Sequence, residues 1–466
     1  MMNRRIGTVA SQAGPDDDGI CGERQYMDAN LTLMIREAQL AESQLHSQHY
    51  LKSVTTLGDR QQVYATCDIY SSSGVKLLNA GALVNSAIYE RLLHHKLIPT
   101  LDESLMTEGG VTIQSLLDEA TLLMGFDAGL LRMRAAMPDD RMLGDILAHI
   151  SLNLVLAFKL TVMRSTRKEL FQRSLYVALV AIYIGIQSEL DRQQLVQLAT
   201  AALLHDIGLL HVDPAMLEIA YRMSEEERRH LYAHPITAWI ILRETPEYSA
   251  QVAEAVLHHH ERLDGSGYPQ GLAGDEISQY GQIIAMAEVV ASRFGKADTH
   301  QHLMRLETIL KLNSRRYGRN LIGHLKMFYT THAEYPQLTE EEKQLVRQNL
   351  NVFADVLKSW ESMRERFVAN SLSAFINERM QALKIEALDA GLNPYVLENP
   401  MQDTADNSEA FAELSILLDE IIWQVKGILQ EIRRRWPRID QDDSSHGAES
   451  ILLWISTVEN RMGQAH

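Results

Sequence analysis

Between residues 205 and 288 the sequence puts imidazole and carboxylate side chains into segments that otherwise read as apolar helix. "AALLHDIGLLHVDP" ends an apolar run on His205 and Asp206, and "YAHPITAWIIL" opens one on His234. "QVAEAVLHHHE" closes another on His258, His259, His260 and Glu261, and "QIIAMAEVVASRF" carries Glu288 inside a fourth. A buried imidazole or carboxylate is costly unless it is paired or holds a cation. Taken singly, each has an ordinary structural explanation: His205 as a hydrogen-bonding core group, His234 as an N-terminal helix residue. Taken together they are the donor set of a divalent-metal site built from separate helices. A fold that buries these helices has to bring the polar groups to one place.

The surrounding pattern fits such a fold. From about 110 to 330, apolar residues recur every three or four positions, which predicts a helical domain almost throughout. The main exception is the Gly/Pro loop at 264–275. Its "DGSGYP" predicts a tight turn whose glycines, Gly267 among them, let backbone approach a ligand closely. Asp264 and Tyr268 then stand at the rim, with Tyr268 able to stack on a base or reach a phosphate. The longest apolar run, "SLYVALVAIYIGIQ" from Ser174, is short for a membrane span and reads as a core helix. There is no long apolar run at the N-terminus, so the expected setting is the cytoplasm, without a membrane span.

The flanks differ in character. Residues 1–49 read as a polar tail containing "GPDDDG", followed by a helical pattern from about Tyr26. Residues 50–109 read as a small α/β module. In it "QQVYATCDIYSSSGVKLLNAGALV" predicts two strands around a Ser/Gly turn, and Asn85 caps a short helix. His94 and His95 on that helix read as a solvated face. Residues 331–466 read as a helical extension. It opens on a capping box, Thr339 with Glu342. Val346, Leu350, Phe353, Leu357, Trp360 and Phe367 then trace a seam near heptad spacing, suited to packing within the chain or to self-association. "LENPMQDTADNSE" and "PRIDQDDSSHG" read as linkers.

Charge and cysteine content narrow the chemistry. A formal net charge of −17 argues against binding a nucleic-acid polymer through the general surface. An anionic substrate therefore needs local positive charge, from a metal ion or a few Lys or Arg. The two cysteines, Cys21 and Cys67, exclude a disulfide framework and a cysteine-based zinc site.

"HDIG", then "HP", then "HHERLDGSGYPQGLAGDEI", in that order and at those separations, resemble the HD-GYP family of metal-dependent phosphohydrolases. The resemblance covers about residues 150–330. It implies an all-α helical bundle, Fe or Mn as cofactor and cyclic di-GMP as substrate. It also implies that Asp206 bridges two metals, that His234, His259 and His260 complete one position, and that His205 and Glu288 serve the other. His205 and Asp206 are then the catalytic pair. Glu169 matches a carboxylate used by three-metal members, and the module at 50–109 weakly resembles a domain that precedes some HD-GYP domains.

This chain also departs from the family pattern. Arg173 stands where the second metal takes a histidine, and Glu288 where it takes an aspartate. A guanidinium cannot donate to a metal and stays charged. Spacing allows Arg173 to pair with Glu169 or Glu288 in place of that metal. Leu209 replaces a lysine and Gln282 an arginine of the phosphate clamp. A further arginine position holds Ala297, with Lys296 beside it as the remaining cationic candidate for substrate. The sequence thus supports a cyclic-dinucleotide phosphodiesterase with one or two metal ions. The alternative is a degenerate domain, with or without a metal, that binds a nucleotide or a protein partner. A phosphohydrolase for another nucleotide is a third reading.

Overall fold

The computed structural model describes residues 48–218, 221, 223–292, 306–310, 312–326, 338–367, 370–393, 408–436 and 446–463. The expected N-terminal tail, Lys296, Ala297 and most of both expected linkers lie outside the described residues. The fold is mainly α, with a few short strands near the start.

Helix Lys168–Gln187 is the axis of the larger body. Its residues from Ser174 to Gly185 are all buried, and it packs against helices Leu154–Thr166, Arg192–Leu204 and Gln279–Ala291. Each fully buried Leu, Ile or Val of this kind contributes about 1.5–3 kcal/mol relative to exposure. It is the one helix among the described residues long and apolar enough to cross a membrane, yet it is mostly enclosed by protein. Helix Ala250–His258 packs on helices Arg192–Leu204 and Gln279–Ala291, and helix His234–Arg243 packs on Ala250–His258, which completes the bundle.

The module before the bundle holds five short strands. Val63–Ala65 pairs antiparallel with Leu105–Thr107, and Ile69–Ser71 pairs with both Lys76–Leu78 and Leu97–Ile98. The expected two strands are therefore three. Asp68 breaks the first run, accepting from the Ala80 amide at 2.9 Å and from Lys76. Asn85 does cap, accepting from the Ala87 amide, but over a 3-10 turn that leads into helix Tyr89–Leu93. A continuous apolar core runs from Tyr50 to Leu325, so module and bundle share one interior. A buried ion pair, Lys159 to Asp102 at 2.7 Å, with Tyr50 donating to Asp102, ties them together.

A second core runs from Leu312 to Met462. Helix Glu340–Met363 is capped by Thr339 and Glu342 as expected. Its seam residues from Val346 to Trp360 are all buried, Phe367 is buried just beyond the helix after a 3-10 turn, and the helix packs on helices Ser408–Arg435 and His446–Met462 of the same chain. The seam is thus used within the chain. Asn313 joins the two cores, donating to Glu420 at 2.7 Å and accepting from Gln424 at 3.2 Å.

Glu386 lies half-buried near Arg316, Asp264, Arg315 and Arg379. Burial, more than any neighbour, pushes its carboxyl up to about 7. A folded value above the unfolded one means stability that is present at low pH and lost as pH rises through about 7. Glu386→Gln should therefore match the wild-type melting temperature near pH 4.5 and exceed it at about pH 8.5, in paired thermal melts.

Candidate metal centre

His205 and Asp206 sit where helix Arg192–Leu204 gives way to a 3-10 turn, Ile207–His211. Gly208 of that turn lies against the next helix. A Cβ there would stand 2.1 Å from the carbonyl oxygen of His234, so only glycine lets the two elements approach. His234 opens helix His234–Arg243, His259 and His260 follow the end of helix Ala250–His258, and Glu288 lies inside helix Gln279–Ala291. The four segments converge.

Hydrogen bonding fixes how the imidazoles face. Nδ1 of His205, His234 and His259 lies 2.6, 2.7 and 2.5 Å from the carbonyl oxygens of Ala202, Leu231 and Val256. A carbonyl only accepts, so each Nδ1 carries a proton and each Nε2 is turned inward. This is the arrangement that orients histidines toward a metal. Nε2 of His234 and Nε2 of His259 are 3.3 Å apart, and Asp206 Oδ1 is 3.3 Å from the former. Two neutral imidazoles so placed aim lone pairs at one another. That is repulsive unless a proton or a metal ion lies between them. The buried Nε2 of His205 likewise faces carboxylates, 3.1 Å from Asp206 Oδ2 and 3.5 Å from Glu288 Oε1.

Two donor groups result. Asp206, His234, His259 and His260 offer ligand atoms within 4.8 Å of one another, and so do His205, Asp206 and Glu288. Asp206 belongs to both. The residues present thus fit a divalent ion at the first group, with four N and O donors and little exposure.

The second group is compromised. Arg173 Nη2 lies 3.1 Å from Glu288 Oε1, which is itself 3.5 Å from His205 Nε2. The arginine side chain is 44% exposed, whereas that of Glu288 is buried. Of the two partners that spacing allowed, Glu288 is the one engaged. Glu169 is exposed and belongs to neither donor group.

Electrostatics separates the two groups further. Burial holds His259 down at about 3 and His260 well below its usual value, so both are neutral donors. Burial also disfavours charge on His205, but Asp206 and Glu288 outweigh it and raise His205 to about 10. Asp206 and Glu288 stay ionised. Burial opposes their charge, and His205 with His234 around Asp206, and His260, His205 and Arg173 around Glu288, overcome it.

The Gly/Pro loop closes one side. The Tyr268 ring stacks on His260 and on Tyr232, with centroids 4.6 and 4.4 Å apart. A Cβ on Gly267 would lie 2.3 Å from the Cα of Glu261, so the loop passes directly over the "HHE" backbone. Asp264, expected as a substrate contact, is held within the protein instead. Its carboxylate accepts from Ser266 and faces Arg316 at 3.5 Å and Arg379 at 3.2 Å. Leu209 is buried in a small apolar cluster, and Gln282 donates to the Ile277 carbonyl. His258 is outside both donor groups, its Nδ1 accepting from the Ser278 amide.

Glu261 has a role that sequence reading missed. Its buried carboxylate accepts from the amides of Gln270, Gly271 and Leu272 at 2.6, 3.1 and 2.9 Å. The glycine-rich composition after it is the signal, since open backbone amides need an acceptor. Glu261→Gln should cost about 1–3 kcal/mol of stability, read by chemical denaturation, because one amide oxygen cannot serve three donors.

The HD domain family matches residues 156–321. A 3'3'-cGAMP-specific phosphodiesterase 3 of Vibrio cholerae is 42% identical over 118 residues, which is 25% of this chain and 24% of that protein. A cyclic di-GMP phosphodiesterase of Pseudomonas aeruginosa is 34% identical over 119 residues, 26% of this chain and 29% of that protein. The match thus spans about a quarter of the length of these relatives. A solved HDG"Y"P protein from Bdellovibrio bacteriovorus is 16% identical, over 57% of this chain and 92% of that one, with a TM-score of 0.31. With its HD pair, its HHE triplet and its GYP loop around one buried site, the domain at residues 156–321 belongs to the HD-GYP family.

Proposed function

We propose that this protein is a metal-dependent phosphodiesterase acting on a cyclic dinucleotide, working from one complete metal position. The observation that carries this reading is the convergence of His234 and His259 Nε2 on Asp206 Oδ1, with each Nδ1 proton held by a backbone carbonyl. A divalent ion there, Fe or Mn by resemblance to the HD-GYP family, would lower the pKa of bound water and offset phosphate charge. His234, His259, His260 and Asp206 would hold it. His205, buried with its Nε2 3.1 Å from Asp206, is placed to hold or pass a proton beside the phosphodiester. Arg173, partly exposed beside Glu288, is placed to attract a phosphate oxygen where family members hold a second ion. Tyr268, fixed on His260, offers its outer edge to a base or phosphate.

The substrate class rests on the relatives, whose names specify cyclic di-GMP or 3'3'-cGAMP. The strand module and the part of the chain after about residue 330 are read as accessory. The setting is the cytoplasm. A protein partner or a second copy would meet the extension at exposed Trp423 and Leu453, since its seam is covered.

The ion pair between Arg173 and Glu288 favours a second reading, in which the domain binds a dinucleotide and signals without turnover. A hydrolysis assay separates the two. The full chain, loaded anaerobically with Fe(II) or Mn(II), is mixed with cyclic di-GMP or 3'3'-cGAMP and the products are resolved by chromatography, with His205→Ala/Asp206→Ala as control. Linear dinucleotide or mononucleotide from the wild type alone supports the enzyme. Binding without product supports the second reading.

A further inference from the structure

The turn that carries Tyr268 is held from the far end of the chain. Arg379, in helix Ser371–Asp389, donates from Nη1 to the Asp264 carbonyl at 2.8 Å and faces the Asp264 carboxylate at 3.2 Å. Arg435, the last residue of helix Ser408–Arg435, donates from Nη2 to the Gly265 carbonyl at 2.7 Å. The two consecutive carbonyls of "DGSGYP" are thus each capped by a guanidinium from the extension.

Both arginines are themselves fixed. Arg435 pairs with Glu431 at 2.7 Å, and Arg379 Nε lies 3.9 Å from the same carboxylate. Phe375 lies against both guanidiniums, at 5.3 Å for Arg379 and 5.0 Å for Arg435. Planar, multidentate guanidiniums held this way act as rigid brackets. Beyond the bracket the contacts continue to the site. Gly265 leads through Ser266 to Gly267, which rides on the Glu261 backbone. The Tyr268 amide donates to the His260 carbonyl at 3.2 Å, and its ring stacks on the His260 imidazole.

We propose that Arg379 and Arg435 are positioning residues for the Asp264–Tyr268 turn, so that the C-terminal extension sets where Tyr268 meets substrate beside His260. The inference rests on reading this site as one that takes a cyclic dinucleotide. It adds that the site is complete only with the extension docked, so whatever moves the extension tunes substrate affinity.

The test uses the full chain. Arg435 is the safer target, since its side chain is 25% exposed whereas that of Arg379 is 7% exposed. Arg435→Ala, Arg435→Lys and Arg379→Lys are compared with the wild type by hydrogen exchange, by calorimetric binding of cyclic di-GMP and by metal content. Arg435→Ala should speed exchange in the peptide spanning 263–273 about tenfold and weaken dinucleotide binding about tenfold, with metal content unchanged. The lysine variants, which keep a donor, should recover most of both. Unchanged exchange in that peptide overturns the bracket. Faster exchange with unchanged binding overturns the positioning role. A wild type that binds but does not hydrolyse refutes the phosphodiesterase reading while leaving this inference to stand on exchange and binding.

Discussion

Asp206→Ala should remove metal binding and, with it, hydrolysis, lowering turnover on the order of 10³-fold or more. Asp206 is the one residue shared by both donor groups, and it is the carboxylate against which His205 and His234 are set at 3.1 and 3.3 Å. Without it the remaining nitrogens face one another with no anion to offset a divalent charge. The check does not depend on activity. Mn(II) in excess stabilises a protein that binds it only when folded, so it should raise the wild-type melting temperature and leave that of Asp206→Ala where it was. A metal-induced shift that survives the substitution would mean the ion sits elsewhere.

Arg173→His should add a second metal ion. In the wild type the group formed by His205, Asp206 and Glu288 meets two cations already in place, the Arg173 guanidinium on Glu288 and the proton on His205. Replacing the guanidinium with an imidazole frees Glu288 and supplies a nitrogen donor at the same point. The expected result is a change from one to two bound ions per chain and a rise in turnover of about tenfold. Filling this position needs the His205 Nε2 lone pair, so binding the second ion competes with a proton there and its affinity should rise with pH. A stoichiometry that stays at one would show that Arg173 is not what keeps the second ion out.

The parts of the site legible in the sequence are those whose anomaly is local. Asp206 stands out at the end of an apolar helix, His234 at the start of one and Glu288 within one, and Asn85 and Thr339 because a cap is read from neighbouring residues. The pairing of Arg173 with Glu288, residues 115 apart, followed from asking what a guanidinium could do in place of a metal ligand. What stayed hidden depends on chain closure. Asp264 looked like a free carboxylate at a loop tip, and its partner Arg379 is 115 residues away. Arg435 is 170 residues from the carbonyl it caps. The seam from Val346 to Phe367 gave the apolar face correctly but not its occupant, because periodicity fixes which side is buried and not what buries it. The hairpin at Ile69–Ser71 and Lys76–Leu78 was visible, whereas the strand partner of Val63–Ala65 lies some forty residues on, at Leu105–Thr107.

The central claim is one intact metal position beside one blocked by a guanidinium. Anaerobic calorimetric titration of Mn(II) into the metal-free full chain at neutral pH tests it most directly. One equivalent, lost in Asp206→Ala, is the predicted result. No binding, or two equivalents in the wild type, would contradict it.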